Sequence, residues 1–140
     1  MRSVVAALGI LLTGLVLCGM GGLGGGPEGT VPKTTENIRV RLTDRAGVMT
    51  ELTRFSMDGQ VFLTGRRGEG EITVLFKTLE RVDFDQVVGQ EVPADLVLDS
   101  KKKIRLLVRK RIIFYGSTDY GAFRIQARDI KSIEFLEAAG

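Results

Sequence analysis

One stretch of this chain occurs twice, and that constrains the fold more than any other feature. Gly65 to Phe84 reads GRRGEGEITVLFKTLERVDF, and Gly116 to Phe135 reads GSTDYGAFRIQARDIKSIEF. A shift of 51 positions sets Gly65 on Gly116 and Gly70 on Gly121. It also sets Ile72, Val74, Leu79, Val82 and Phe84 on Phe123, Ile125, Ile130, Ile133 and Phe135. Just upstream, Val61-Phe62-Leu63 falls on Ile112-Ile113-Phe114. Repeat architectures need at least three copies to bury their faces. Two copies point to a two-lobed or duplicated small domain. Once the N-terminal segment is set aside, roughly 110 residues remain to fold, enough for one core and marginal for two. The copies are therefore expected to share a core or to pack tightly.

The apolar pattern within the repeat has period two. Ile38, Val40 and Leu42 alternate with Arg39, Arg41 and Thr43, and Ile72, Val74 and Phe76 with Glu71, Thr73 and Leu75. Ile104, Leu106 and Val108 do the same, as do Phe123, Ile125 and Ala127. Alternation of this kind marks half-buried strands. Turn signals stand at Asp44–Gly47 and at Asp58-Gly59. Gly65, Gly70, Gly116 and Gly121 read as structural turn glycines, and Pro93 as an edge or strand-start residue. No segment after residue 30 holds a 3.6-residue period over eleven residues. The expected class is all-β: a small duplicated domain of short antiparallel strands, barrel or sandwich-like. Its halves are expected at about 37–86 and 87–137.

Residues 1–22 read as a signal or membrane-targeting segment. Arg2 precedes an almost continuous apolar run from Val4 to Leu17, and small residues follow. Leu15, three residues before Cys18, resembles a bacterial lipoprotein box, although Leu17 stands where that family has a small residue. The segment is thus read as cleaved, lipidated at Cys18, or retained in the membrane. Residues 23–36, rich in glycine with two prolines, read as a flexible linker. Each of these readings puts the 37–137 domain outside the cytoplasm, in the periplasm or beyond.

The composition restricts the chemistry. The chain has no histidine, and its one cysteine is Cys18. Ser-His-acid and Cys-His arrangements are excluded, as are disulfides and Cys/His metal clusters in the folded part. Ser100-Lys101 and Lys131-Ser132 are adjacent, so on a strand their side chains point to opposite faces. Asp83 with Asp85 and Glu69 with Glu71 are carboxylate pairs that read as solvated charges. The Gly65–Gly70 loop lacks the following helix and the Lys-Ser/Thr pair of a phosphate-binding loop. No catalytic, cofactor or metal residue is assigned, and no cofactor is expected.

Charge is where the sequence departs most from background. Residues 28–99 carry nine basic and thirteen acidic side chains, a net of −4. Residues 100–140 carry ten basic and four acidic, a net of +6. Lys101 to Arg111, KKKIRLLVRKR, holds seven positive charges in eleven residues. On a strand, Lys103, Arg105, Arg109 and Arg111 share one face, with Leu107 as an apolar intruder. Lys101, Lys102, Lys103, Arg105, Arg109 and Arg111 are the candidate contacts for an anionic partner: lipid head groups, an acidic polymer or an envelope protein. A nucleic acid is not the expected partner outside the cell, and two tyrosines make no stacking platform. The alternative for this run is a solvated face guarding an edge strand. The chain therefore reads as a non-enzymatic exported interaction or scaffold domain of the bacterial envelope. The other reading is a small envelope hydrolase or ligand-binding enzyme without histidine chemistry.

Overall fold

The computed structural model describes residues 34–136. The expected segment at 1–22 with Cys18, and the linker at 23–36 as far as Lys33, lie outside the described residues. The described chain is all-β. Its strands are β1 (Arg39–Asp44), β2 (Met49–Met57), β3 (Phe62–Arg67), β4 (Gly70–Leu75), β5 (Leu79–Phe84), β6 (Glu91–Leu98), β7 (Lys103–Arg109), β8 (Ile113–Thr118), β9 (Gly121–Gln126) and β10 (Ile130–Leu136). Single 3-10 turns stand at Phe76–Thr78 and Ala127–Asp129. No helix among the described residues is long and apolar enough to cross a membrane.

Local chemistry makes each hairpin. Asp44 Oδ1 accepts the backbone N–H groups of Ala46 (2.9 Å) and Val48 (3.0 Å), and Gly47 takes a positive φ of 87°. Asp58 and Gly59 have φ of 53° and 88°, the left-handed pair that a tight reversal demands. Val40, Leu42, Leu52, Leu106 and Val108, all at apolar alternation positions, are fully or almost fully buried. Each such side chain contributes about 1.5–3 kcal/mol relative to exposure.

All ten strands form one curled antiparallel sheet, in the order β4-β3-β7-β6-β5-β10-β1-β2-β8-β9. The halves correspond as β1 to β6, β2 to β7, β3 to β8, β4 to β9 and β5 to β10. Replace every strand by its counterpart and the same order reads backwards. The sheet thus has a pseudo-twofold axis between β5 and β10. Within a half only the hairpins pair: β1 with β2 and β3 with β4, then β6 with β7 and β8 with β9. Every other neighbour comes from the opposite half, so the duplication is interlocked and the two-lobed alternative is ruled out. The buried residues form one cluster, fed by every strand except β4 and β9.

Register carries the symmetry to single residues. Val40 pairs with Phe135 and Leu42 with Ile133, while Ala94 pairs with Phe84 and Leu96 with Val82. Thus the first two strands of each half correspond with a shift of 54, although the later ones keep 51. The difference is taken up between Leu52 and Gly65. There β2 breaks register between Thr53 and Ser56, Arg54 has φ of 52°, and Phe55 turns into the core with no exposure.

Three expectations need correction. Gly70 and Gly121 do begin the strands after tight turns, but Gly65 and Gly116 lie inside β3 and β8. Their role is close approach: a Cβ on Gly65 would stand 2.7 Å from Leu106 Cβ, and one on Gly116 2.9 Å from Leu52 Cβ. Leu52 and Leu106 are themselves counterparts, so the same contact is made twice. Pro93 lies inside β6, flanked in the sheet by β5 and β7. Its carbonyl accepts Asp85 N–H (2.8 Å) just past the end of β5, and on a strand its nitrogen faces the same way. The missing donor thus falls where β5 has ended. Finally, β7 is not an edge; β4 and β9 are.

Candidate functional site

The basic run occupies β7, the turn before it and the turn after it. Strand alternation exposes Lys103, Arg105 and Arg109 and sends Leu106 and Val108 into the core. Leu107 shares the parity of the arginines and is half-buried, opposite Arg66 of β3. It lines a cavity of about 310 Å³ together with Met57, Gly65 and Ile112. Because β7 is flanked by β3 and β6, the run guards no edge.

The six candidate contacts are not equivalent. Arg105 donates through Nη1 to Asp95 (2.9 Å) and through Nη2 to Asp85 (3.2 Å). The Asp85 carboxyl lies below its ordinary range, first because Gln86 N–H donates to it and then because of Arg105. Lys101 is paired with Glu80. Among the described residues no carboxylate lies within 4.0 Å of Lys102, Lys103, Arg109, Lys110 or Arg111. Free positive charge therefore collects at two places: Lys102-Lys103 at the start of β7, and Arg109-Lys110-Arg111 at its end.

The second cluster is the denser one. Arg109, Lys110 and Arg111 line a shallow cavity of about 330 Å³ with Gln90 and Glu91. Glu91 is already engaged by Arg66, which donates through Nε (2.8 Å) and Nη2 (2.7 Å). That fork holds the Glu91 carboxyl below its ordinary range. The turn backbone is fixed from two sides: Lys110 N–H donates to Gln90 O (3.0 Å), and Arg128 N–H to Lys110 O (3.0 Å). Three cations are thus presented on an anchored turn. The corresponding turn of the first half is Asp58-Gly59-Gln60, with one negative charge.

A second asymmetry lies beside the 3-10 turns. Ile38, Phe76, Leu79 and Phe135 line a groove of about 340 Å³, with Lys77, Glu80 and Asp99 also on its wall. At the counterpart of Asp99 stands Arg45. Both make the same main-chain bond, Asp99 N–H to Thr78 O (2.9 Å) and Arg45 N–H to Asp129 O (2.9 Å). The Arg45 guanidinium then lies across its side, donating to the carbonyls of Arg128 (3.3 Å), Phe84 (3.4 Å) and Asp85. Nothing in the sequence marked Arg45, because its acceptors are backbone oxygens at the end of β5 and in the second 3-10 turn, far away in the chain.

The carboxylate pairs do not converge. Asp83 accepts from Arg81 Nε (3.0 Å) while Asp85 faces Arg105, so each is neutralised by a different arginine. Glu69 and Glu71 are exposed at the β3–β4 hairpin. Ser56 is fully buried, and its hydroxyl accepts Gly59 N–H (3.2 Å), a structural task. Among the described residues no three carboxylates, cysteines or histidines gather around one point.

A family model described as "Uncharacterised protein" matches residues 34–138. The chain is also similar to an uncharacterized protein of Aquifex aeolicus (strain VF5). The two are 26% identical over 109 residues, which is 78% of this chain and 82% of that protein.

Proposed function

The chain belongs to the family of that model, and we propose that it is a non-enzymatic exported interaction module that meets an anionic surface through the β7–β8 turn. The observation that carries the reading is the anchored triplet Arg109-Lys110-Arg111, with no carboxylate among the described residues within 4.0 Å of any of the three. Arg105 and Lys101 have carboxylate partners within the protein and contribute less to outside binding. Lys102 and Lys103 extend the positive surface toward the other end of β7. The leader-like 1–22 segment supports export, and export puts lipid head groups and acidic envelope polymers within reach.

Co-sedimentation of the full-length chain with phosphatidylglycerol vesicles, against phosphatidylcholine vesicles as a neutral baseline, tests the reading. Surface cations contribute about 1 kcal/mol each near an anionic membrane, so three together amount to roughly a hundredfold in affinity. The triple variant R109Q/K110Q/R111Q is expected to lose the difference between the two vesicle types. R105Q is expected to keep most of it, and wild-type binding is expected to weaken from low to physiological salt. No preference of the wild type for anionic vesicles at low salt, or an unchanged preference in the triple variant, overturns the proposal.

A further inference from the structure

We propose that copies of this chain join edge to edge, β4 of one against β9 of the next, in an open antiparallel series. β4 and β9 are the two ends of the ten-stranded sheet, and each is six residues long. Edge strands are usually blunted by proline, by charged side chains, lysine above all, by bulges or by shortening. GEITVL and GAFRIQ carry no proline or lysine, and their single charges, Glu71 and Arg124, are of opposite sign.

The direction of the backbone groups that β4 and β9 leave unpaired among the described residues follows from the hairpins. Arg67 pairs with Gly70 and Thr118 with Gly121, each across a two-residue turn that closes on a hydrogen-bonded pair. Counting from that pair, Gly70, Ile72 and Val74 direct their N–H and C=O groups toward β3. Glu71, Thr73 and Leu75 direct theirs outward. By the same count, Ala122, Arg124 and Gln126 face outward on β9. Both edges therefore present three evenly spaced residues able to continue the ladder.

Side chains choose the register. Glu71, Thr73, Ala122 and Arg124 are exposed. Setting Glu71 opposite Arg124 brings Thr73 opposite Ala122 and Ile72 opposite Phe123. It also brings Leu75, which is 45% exposed, beside Tyr120, which is 93% exposed. One register thus satisfies the ion pair and covers two exposed large side chains. Like-with-like contacts are disfavoured: two β4 strands would gather Glu69 and Glu71 of both copies on one short face, and two β9 strands would gather both Arg124 side chains. Joining different edges is a heterologous contact, which propagates as an open series unless its rotation closes a ring.

The test is sedimentation velocity of the full-length chain over a hundredfold range of concentration, with variants measured in the same buffer. Wild type is expected to give species that lengthen with concentration. E71R alone and R124E alone are each expected to weaken association roughly tenfold, and the double variant E71R/R124E to restore it. Thr73→Pro removes an outward N–H and leaves the pairing with β3 untouched, so it is expected to stop growth at unchanged circular dichroism. Should that variant misfold, the charge-reversal series still decides. A single mass for wild type at every concentration, single reversals that associate like wild type, or a double variant that fails to recover overturns the proposal.

Discussion

Asp58-Gly59-Gln60 and Arg109-Lys110-Arg111 stand at the same turn in the two halves, one acidic and tight, the other triply basic. The backbone around them is shared. Phe76 N–H donates to Val61 O (3.0 Å), and its counterpart Ala127 N–H to Ile112 O (2.9 Å). The outer face repeats the lesson with signs exchanged. Arg41 of β1 faces Glu51 of β2 at 3.6 Å, and their counterparts are Asp95 and Arg105, facing at 2.9 Å. A cross-strand pair depends on the product of its charges, so the inversion preserves the attraction. Its neighbours had to follow. Glu134 accepts from Arg41 (3.0 Å), but its counterpart Asp83 is opposite Asp95 and turns to Arg81 instead. The interior differs too: Phe76 corresponds to Ala127, and Phe55 has no counterpart. Duplication has kept what the backbone requires, glycine under leucine and alternation into the core, and released everything that faces water.

The comparison breaks most visibly at Phe55. Its ring lies 5.3 Å from Phe76, 5.6 Å from Phe114 and 6.0 Å from Phe135. The second half has no such centre, so Phe55→Ala is expected to cost about 3–5 kcal/mol in urea unfolding. A loss under about 1 kcal/mol would mean that the bulge, rather than the ring, is what the fold uses.

Where the halves agree, paired substitutions are expected to agree. Gly65→Ala and Gly116→Ala each drive a Cβ into a leucine Cβ, at 2.7 and 2.9 Å. Each is expected to cost about 1–3 kcal/mol, the two values lying close together. If one variant unfolds at the wild-type midpoint while the other is destabilised, the apparent symmetry of the contact is false.

The smallest effect concerns pH. Arg66 and Glu91 tie β3 to β6, and their counterparts are Ser117 and Asn37, with no charge. Arg66 holds the Glu91 carboxyl below its ordinary range, chiefly through the hydrogen bonds and then through its charge. A depressed carboxyl stabilises the fold above its unfolded value and loses that contribution as pH falls through the folded one. Glu91→Gln is therefore expected to be slightly less stable than wild type at neutral pH. The difference should shrink below about pH 4, where an unfolded glutamate is protonated. Asn37→Ala is expected to show no such narrowing. A Glu91→Gln difference that persists unchanged to strong acid would remove the ion pair as its cause.

The duplication and the strand class were legible because glycines and β-branched residues recur at fixed spacing. The shift of 54 for the first two strands was not, because three extra residues between Leu52 and Gly65, one of them in the β2 bulge, align Phe55 with Leu106 instead of Leu52 with Leu106. Pairing between halves left no trace either. Val40 must be buried whichever strand lies beside it. In the basic run, alternation placed Lys103, Arg105 and Arg109 on one exposed face. The neutralisation of Arg105 stayed hidden, since Asp85 and Asp95 arrive from before β6 and from within it. The glycines misled for a related reason. Gly65 and Gly116 look like turn residues until the leucine beneath each is known.

β10 is the last strand in chain order among the described residues, yet it lies at the centre of the sheet, between β5 and β1. Take it away and the order falls into β4-β3-β7-β6-β5 and β1-β2-β8-β9, two fragments with no strand between them. A nascent chain that lacks β10 therefore cannot assemble the domain. Until β10 is made, β1 and β5 each lack one neighbour and the two parts of the sheet stay apart. Such late closure of distant contacts makes folding slow and leaves the waiting chain open to aggregation. A stop codon within β10 would thus be as damaging as one within β1.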